Sequence, residues 1–343
     1  MAKMANWIEN QLAYKRRVLK ALEAGEGGGG GVWLFSPPSR ETPIFADSKS
    51  SIPIITVGNL KGGVGKSTLV TNLAAGLATI GDAQKKVLII DLDFQGSLSS
   101  MTCLDKEPLD KASALLSGHQ SHEWICKDAE QAHSRVNDNP FPVPGVKVVS
   151  ANNDLARTET HIFVKWLLQE TGDIRFNLRR ALHHPDVAAD YKYIVIDTPP
   201  RMTTGHIQAL CASTHVLIPT IMDNLSGAAV ANYVDQIESH RAIWPRLKYL
   251  GVLGTLTRPG MPIEKTTRLI EAKLSALQQK YPSVMPKVFP DELFIKNCAF
   301  FARAAGEGIA VADYRNTQDI RDRKEEFSKM VAELESRRSK SEA

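Results

Sequence analysis

The sequence predicts an α/β fold, a mostly parallel twisted sheet with helices on both faces, organised around one glycine-rich loop. Three observations predict it. From Ser51 onward, apolar β-branched runs alternate with helical stretches, the pattern of buried strands joined by crossover helices. The run Ile54, Ile55, Thr56, Val57 passes through a glycine-rich turn into KSTLVTNLAAGLA, which is strand, loop and helix in succession. Two later runs, KVLIID at 86–91 and YIVID at 193–197, end in aspartate. Open α/β sheets place their ligands at the carboxyl ends of strands.

The chain has 343 residues, 43% of them hydrophobic, enough to bury a sizeable core in one large or two ordinary domains. Its 42 Lys+Arg against 38 Asp+Glu leave a formal charge of +4, too mild to announce a nucleic-acid binder, though it permits a local basic patch. Cys103, Cys126, Cys211 and Cys298 stand far apart, without metal-ligand or Cys-x-x-Cys spacing, so they read as reduced structural thiols of a cytosolic protein. No apolar run approaches the ~18 residues of a membrane span. The N-terminus shows no secretory signal, and a cytoplasmic location is expected.

In chain order, residues 6–24 carry Trp7, Ile8, Leu12, Val18, Leu19 and Leu22 on roughly one helical face, an amphipathic helix expected to dock on the core or pair with another subunit. A glycine run at 25–31 is a flexible linker, and the proline-broken clusters of 32–51 lie against the domain surface. Residues 1–50 therefore form an extension and 51–343 the main domain, closed by a charged C-terminal helix. After the first strand and its helix comes the strand Lys86–Asp91. Residues 103–144, ending NPFPVPG, read as loops and short helices over the sheet. His183 and His184, near Pro185, have no acidic or cysteine partner at ligand spacing and read as a loop at a helix end. The strands YIVID, HVLIP at 215–219 and YLGVL at 249–253 complete the series.

In the loop, Gly62, Gly63 and Gly65 let the backbone turn sharply and aim its N–H groups at phosphate oxygens, aided by the helix N-terminus behind it. Val64 lies within the loop and Thr68 closes it. Lys66 would reach the β- and γ-phosphates and the Ser67 hydroxyl would ligate Mg²⁺. Two things depart from the general motif: its first glycine is replaced by Leu60, and Lys61 directly precedes the glycine pair. An apolar strand ending in a carboxylate is the Walker B pattern, which Asp91 and Asp197 both satisfy. Strand alternation puts Asp91 and Asp93 on one side.

The stretch NLKGGVGKST resembles the deviant Walker A loop of the ParA/MinD family of ATPases. IIDLDFQGSLS is similar to that family's first switch, with Phe94 where proline is usual, and YIVIDTPP to its second. The similarity runs from about Ile54 to about Tyr314 and includes VKVVSANNDLA, HVLIPT and GVLGTLTRPG. It implies a P-loop NTPase that uses ATP and Mg²⁺ and hydrolyses ATP slowly, under partner and DNA stimulation. By the same match Asp91 would support Mg²⁺ and Asp93 would position the attacking water. Lys61 would reach across a nucleotide-sandwiched homodimer, and Thr255 and the segment from Pro290 would line the adenine pocket. The resemblance further implies non-specific DNA binding at the nucleoid, a ParB-like or other adaptor, and partition or positioning of a DNA or protein cargo.

Arg258, Lys265, Arg268 and Lys273 form a candidate DNA-binding row, with Arg241, Arg246 and Lys248 expected nearby. The rival readings are a MinD-like membrane switch, a redox or metal-delivery protein resembling nitrogenase iron protein, and a phosphoryl-transfer ligase like the dethiobiotin synthetases. The first needs an apolar C-terminal face free for lipid. The face formed by Ile320, Phe327, Met330, Val331 and Leu334 lies in a helix dense in both charge signs and is expected to pack on its own domain. The second lacks cluster cysteines near the switches, and Lys61 with DLDFQG argues against the third.

Overall fold

The computed structural model describes residues 9, 10, 12–16, 18–20, 23, 31–34, 52–103, 110–118, 122–136, 139–223, 225–283, 285–297, 310–313, 315 and 317–342. The strands are β1 (Ile54–Val57), β2 (Lys86–Asp91), β3 (Glu130–Val136), β4 (Asn139–Val149), β5 (Tyr191–Asp197), β6 (His215–Ile221) and β7 (Lys248–Thr255). They form one sheet in the order β3-β4-β2-β5-β1-β6-β7. Every pairing is parallel except β3 with β4. Ile54, Ile55 and Val57 of β1 are wholly buried, as are Val87 to Ile90 of β2, because helices cover both faces of the central strands.

The helices are α1 (Lys66–Ala78), α2 (Ser97–Thr102), α3 (Ala112–Leu116), α4 (His122–Asp128), α5 (Asp154–Leu167), α6 (Asn177–Leu182), α7 (Pro185–Asp190), α8 (Thr204–Ala212), α9 (Ser226–Ser239), α10 (Ile263–Lys280) and α11 (Gln318–Glu342). The centre of α1 is buried and it leans on α11. A Cβ added to Gly76 would meet a Val331 methyl at 2.9 Å, so this glycine sets how closely the two helices approach. Ile320, Phe327, Met330, Val331 and Leu334 are at most 5% exposed, and α11 packs on its own domain as its charge pattern suggested.

The region 103–144 holds the expected short helices, α3 and α4, but departs from its reading after them. Glu130–Val136 and Asn139–Val149 form an antiparallel hairpin at the sheet edge, and NPFPVPG is part of β4. Pro140, Pro142 and Pro144 share one parity, so the missing N–H groups fall on one side of the strand. Pairing with β3 covers Asn139–Pro142, whereas pairing with β2 begins only at Val146. The prolines therefore occupy the stretch where the second neighbour is absent.

At the N-terminus the described residues between 9 and 23 are helical. The Tyr14 hydroxyl donates to the Leu167 carbonyl at 2.9 Å, tying this helix to the end of α5, while Leu12 and Leu19 remain exposed. Trp33 is buried against Phe163 and Trp166, and its carbonyl accepts from Arg175 at 2.6 Å. Trp7, Ile8, Leu22, Cys298 and most of 25–51 lie outside the described residues.

Candidate active site

The loop between β1 and α1 is fixed at its start by Asn59, which is fully buried. Its Nδ2 donates to the Pro219 carbonyl at the end of β6 (2.8 Å), and its Oδ1 accepts from the Lys61 backbone N–H (2.9 Å). Gly58, just before it, has no room for a side chain, since a Cβ would stand 2.1 Å from the Tyr233 hydroxyl. The turn itself needs φ of +70° at Gly63 and +76° at Gly65, a region that L side chains resist. Gly65 is the N-cap of α1 and supplies no side-chain cap, so the first-turn N–H groups of a 13-residue helix stay available to an anion. Thr255 supports the loop from below, its hydroxyl donating to the Val64 carbonyl at 2.8 Å.

Strand ends bring the charges together. Lys66 is 7% exposed, Asp93 8% and Asp197 1%. Burial pulls the Lys66 ammonium below its usual range, and Asp197 and then Asp93 oppose that pull. Burial, followed by repulsion from Asp91, pushes the Asp197 carboxyl well above the ordinary range despite Ser67 and Lys66. Neither Asp197 carboxylate oxygen meets a partner in hydrogen-bond geometry among the described residues; the Ser67 hydroxyl is the polar group that comes near. Such an arrangement is costly unless a cation completes it. Asp91 is different. It accepts from Ser99 N–H (2.9 Å), the Ser99 hydroxyl (2.6 Å) and Asp93 N–H (3.0 Å) and so anchors the start of α2, while burial raises its carboxyl to about 6. Asp93 Oδ1 accepts from Gln95 N–H at 3.1 Å, which orients this carboxylate.

Residues 62–68, Asp93, Gln95, Ser100 and Pro200 line a cleft of about 630 Å³. The expected loop residues Gly62, Gly63, Val64, Gly65, Lys66, Ser67 and Thr68 thus meet Asp93 in one cavity. Thr255 lies under the loop, and Pro290 is an exposed cap of the turn Asp291–Leu293; neither lines this cleft. The uncapped helix start, the buried lysine and the unsatisfied Asp197 carboxylate fit a nucleotide polyphosphate with a divalent cation held by Ser67 and Asp197.

Lys61 points away from its own loop. Its Nζ pairs with Asp223 Oδ2 at 2.7 Å and reaches the Ser226 hydroxyl at 3.4 Å. Burial alone would raise the Asp223 carboxyl, but hydrogen bonds from Lys61 and Ser226 outweigh it and hold it below the usual range. Asp223 and Ser226 were not foreseen. The only signal was a polar DNLS segment after β6, 162 residues from Lys61. Tyr233 and His206, hydrogen-bonded at 2.7 Å behind Gly58, left no local pattern at all.

Arg258, Lys265 and Arg268 are exposed and Lys273 half-buried, in and after the loop that follows β7. Arg268 pairs with Glu264 at 2.5 Å. Arg241, Arg246 and Lys248 do not join this row. Arg241 and Arg246 precede the eight-residue β7 and Lys248 opens it, whereas Arg258 follows it, which separates the two groups by roughly 25 Å at ~3.3 Å per residue. Arg241 is also engaged by Glu238 and, at 2.5 Å, by the Leu247 carbonyl.

A family model described as an AAA domain, AAA_31, matches residues 52–248. A chromosome partitioning protein ParA of Myxococcus xanthus is 31% identical over 206 residues, covering 59% of this chain and 64% of that protein. The chromosome partitioning protein ParA of Caulobacter vibrioides is 27% identical over 244 residues, covering 70% of this chain and 82% of its own. Among solved structures, pNOB8 ParA bound to nonspecific DNA superposes with a TM-score of 0.54 at 22% identity, covering 84% of this chain and 99% of that one.

Proposed function

The chain belongs to the AAA_31 family of ParA-like partition ATPases, and from that premise we propose that it is an ATP-dependent dimerisation switch that binds DNA without sequence preference and positions a DNA or protein cargo. The observation that carries the reading is a buried lysine, Lys66, and a buried carboxylate, Asp197, beneath an uncapped helix start, with no partner in hydrogen-bond geometry for the Asp197 oxygens. Backbone N–H groups of residues 62–68 cradle the phosphates, and Lys66 balances the β,γ charge. The Ser67 hydroxyl and Asp197 hold Mg²⁺, and Asp91 supports the site by fixing the first switch. The bound ion neutralises charge developing on the phosphoryl oxygens. Asp93, oriented by Gln95, positions the attacking water.

In this reading Lys61 leaves Asp223 and reaches the phosphates bound by a second copy. Thr255 steadies the phosphate loop from beneath, and the exposed segment from Pro290 is assigned to the adenine end of the site. Arg258, Lys265 and Arg268 contact DNA phosphates at the nucleoid, and an adaptor of the ParB kind stimulates turnover. Residues 1–50 act as an accessory extension to the ATPase domain at 51–343. The membrane reading loses its element, because the apolar face of α11 is buried, and no described helix is long and apolar enough to cross a membrane.

ATP turnover and mass by light scattering test the proposal. Lys66→Ala is expected to lose ATP affinity and turnover together. Asp93→Ala is expected to bind ATP, lose about 10²–10⁴-fold in rate and accumulate as a dimer. Wild-type protein that stays monomeric in ATP, or a Lys66→Ala variant with unchanged affinity, would overturn it.

A further inference from the structure

Away from the nucleotide cleft, ligating side chains gather where α4 meets α7. His122 opens α4, His184 is the N-cap of α7, and Asp186 lies in the first turn of α7. Nε2 of His122 stands 3.3 Å and Nδ1 of His184 3.5 Å from the same atom, Oδ2 of Asp186. Both separations exceed the ~2.7–3.2 Å of a good N–H···O bond. They match the ~3.3 Å edge of a tetrahedron whose metal–ligand bonds are ~2.0–2.1 Å. One ligand atom from each of the three residues lies within 4.8 Å of the other two. The imidazoles are stacked, centroids 3.2 Å and planes 7° apart, so ligation of one ion by both requires one ring to turn out of the stack.

The tautomer agrees with ligation. Nδ1 of His184 accepts from the Asp186 backbone N–H at 3.3 Å, so it carries a lone pair rather than a proton, and a metal would take that lone pair from a long hydrogen bond. Cys126, on α4, is not among the side chains whose ligand atoms converge here. The geometry points to a divalent transition-metal site of the zinc class, held by His122, His184 and Asp186 with the remaining position open to water. Two imidazoles and one carboxylate favour such ions over Mg²⁺ or Ca²⁺, which prefer all-oxygen sites. A bound ion would staple α4 to α7, which runs directly into β5, the strand that ends at Asp197.

The test is calorimetric titration of the full chain with Zn²⁺, with Mg·ADP saturating the nucleotide cleft, and the same titration with Co²⁺ followed by visible absorption. Wild-type protein is expected to bind one equivalent, to show d–d bands with Co²⁺, and to melt at a higher temperature with Zn²⁺. His122→Ala, which removes a ligand and leaves the bond from Asp186 N–H to His184 that caps α7, is expected to weaken binding at least tenfold and abolish the bands. Asp186→Asn is expected to weaken it, and His161→Ala, at an exposed histidine on α5, to leave it unchanged. No stoichiometric binding by wild-type protein, or equal binding by His122→Ala, would overturn the site.

Discussion

The Lys61 ammonium lies 2.7 Å from Asp223, and the two side chains are 24% and 37% exposed. A pair this open contributes no more than ~1 kcal/mol, whereas a charge-assisted hydrogen bond to a phosphate is worth ~1.5–3 kcal/mol. In the proposed dimer, release of Lys61 to a second nucleotide would therefore be favourable, with Asp223 as the competing partner. Asp223→Asn is expected to raise the ATP-dependent dimer constant up to ~5-fold, the equivalent of ~1 kcal/mol, as read by sedimentation. A lower constant would show that Asp223 aids the dimer instead. A second residue gives a pH signature. His206 is wholly buried between the Pro199 carbonyl (3.1 Å) and the Tyr233 hydroxyl (2.7 Å). Burial lowers it from 6.5 to about 4. Between those values the unfolded chain binds a proton that the folded chain refuses, so stability falls as pH falls through the window. Compared with His206→Gln, wild-type stability from urea unfolding should drop more steeply between pH 6.5 and 4.5, by up to ~1.4 kcal/mol per pH unit. Parallel profiles would contradict this. The phosphate loop and its aspartates were legible in the sequence because they are local patterns. Asp223, His206 and Tyr233 were not, because their partners lie far off in sequence and meet only through the sheet order.

At the scale of elements, the same divide separates α11 from the β3–β4 hairpin. The apolar positions of α11 recur at helical spacing over 25 residues, so its existence and its buried face could be read directly. The hairpin was missed because prolines at every second position of β4 break the usual strand signature, and only an edge with one neighbour tolerates them. That α11 is buried has an energetic consequence. Leu334 is 0% exposed, and Leu334→Ala is expected to cost ~2–5 kcal/mol in urea unfolding. Because α1 carries the phosphate loop at one end and meets α11 near Gly76 at the other, Gly76→Leu should also weaken ATP binding by forcing the helices apart. Gly76→Leu protein that unfolds at the wild-type urea concentration would show that the contact can yield.

For the whole molecule, the formal charge of +4 on 343 residues leaves too little average field for DNA binding, so any such activity must come from local placement. Parallel strands provide that placement, because β1 and β7 deliver the phosphate loop and Arg258 to the same end of the sheet. In this row one copy exposes Arg258, Lys265 and Arg268, with Lys273 half-buried, and Glu264 offsets Arg268 at 2.5 Å. Two copies joined through ATP would double the row. If about six phosphates are contacted, the logarithm of affinity should fall with that of salt at a slope of about −5, or ~10³-fold between 50 and 200 mM. Anisotropy of random duplex DNA in ATP, ADP or no nucleotide reads this directly, with binding expected only in ATP. Glu264→Gln frees Arg268 and is expected to tighten binding and steepen the slope. Arg258→Glu with Arg268→Glu should abolish binding while basal ATPase persists. Binding that ignores nucleotide, or that the double reversal leaves intact, would place the DNA contact elsewhere on the surface. Wild-type protein that ignores DNA in ATP but sediments with anionic vesicles would favour a membrane switch, despite the buried face of α11.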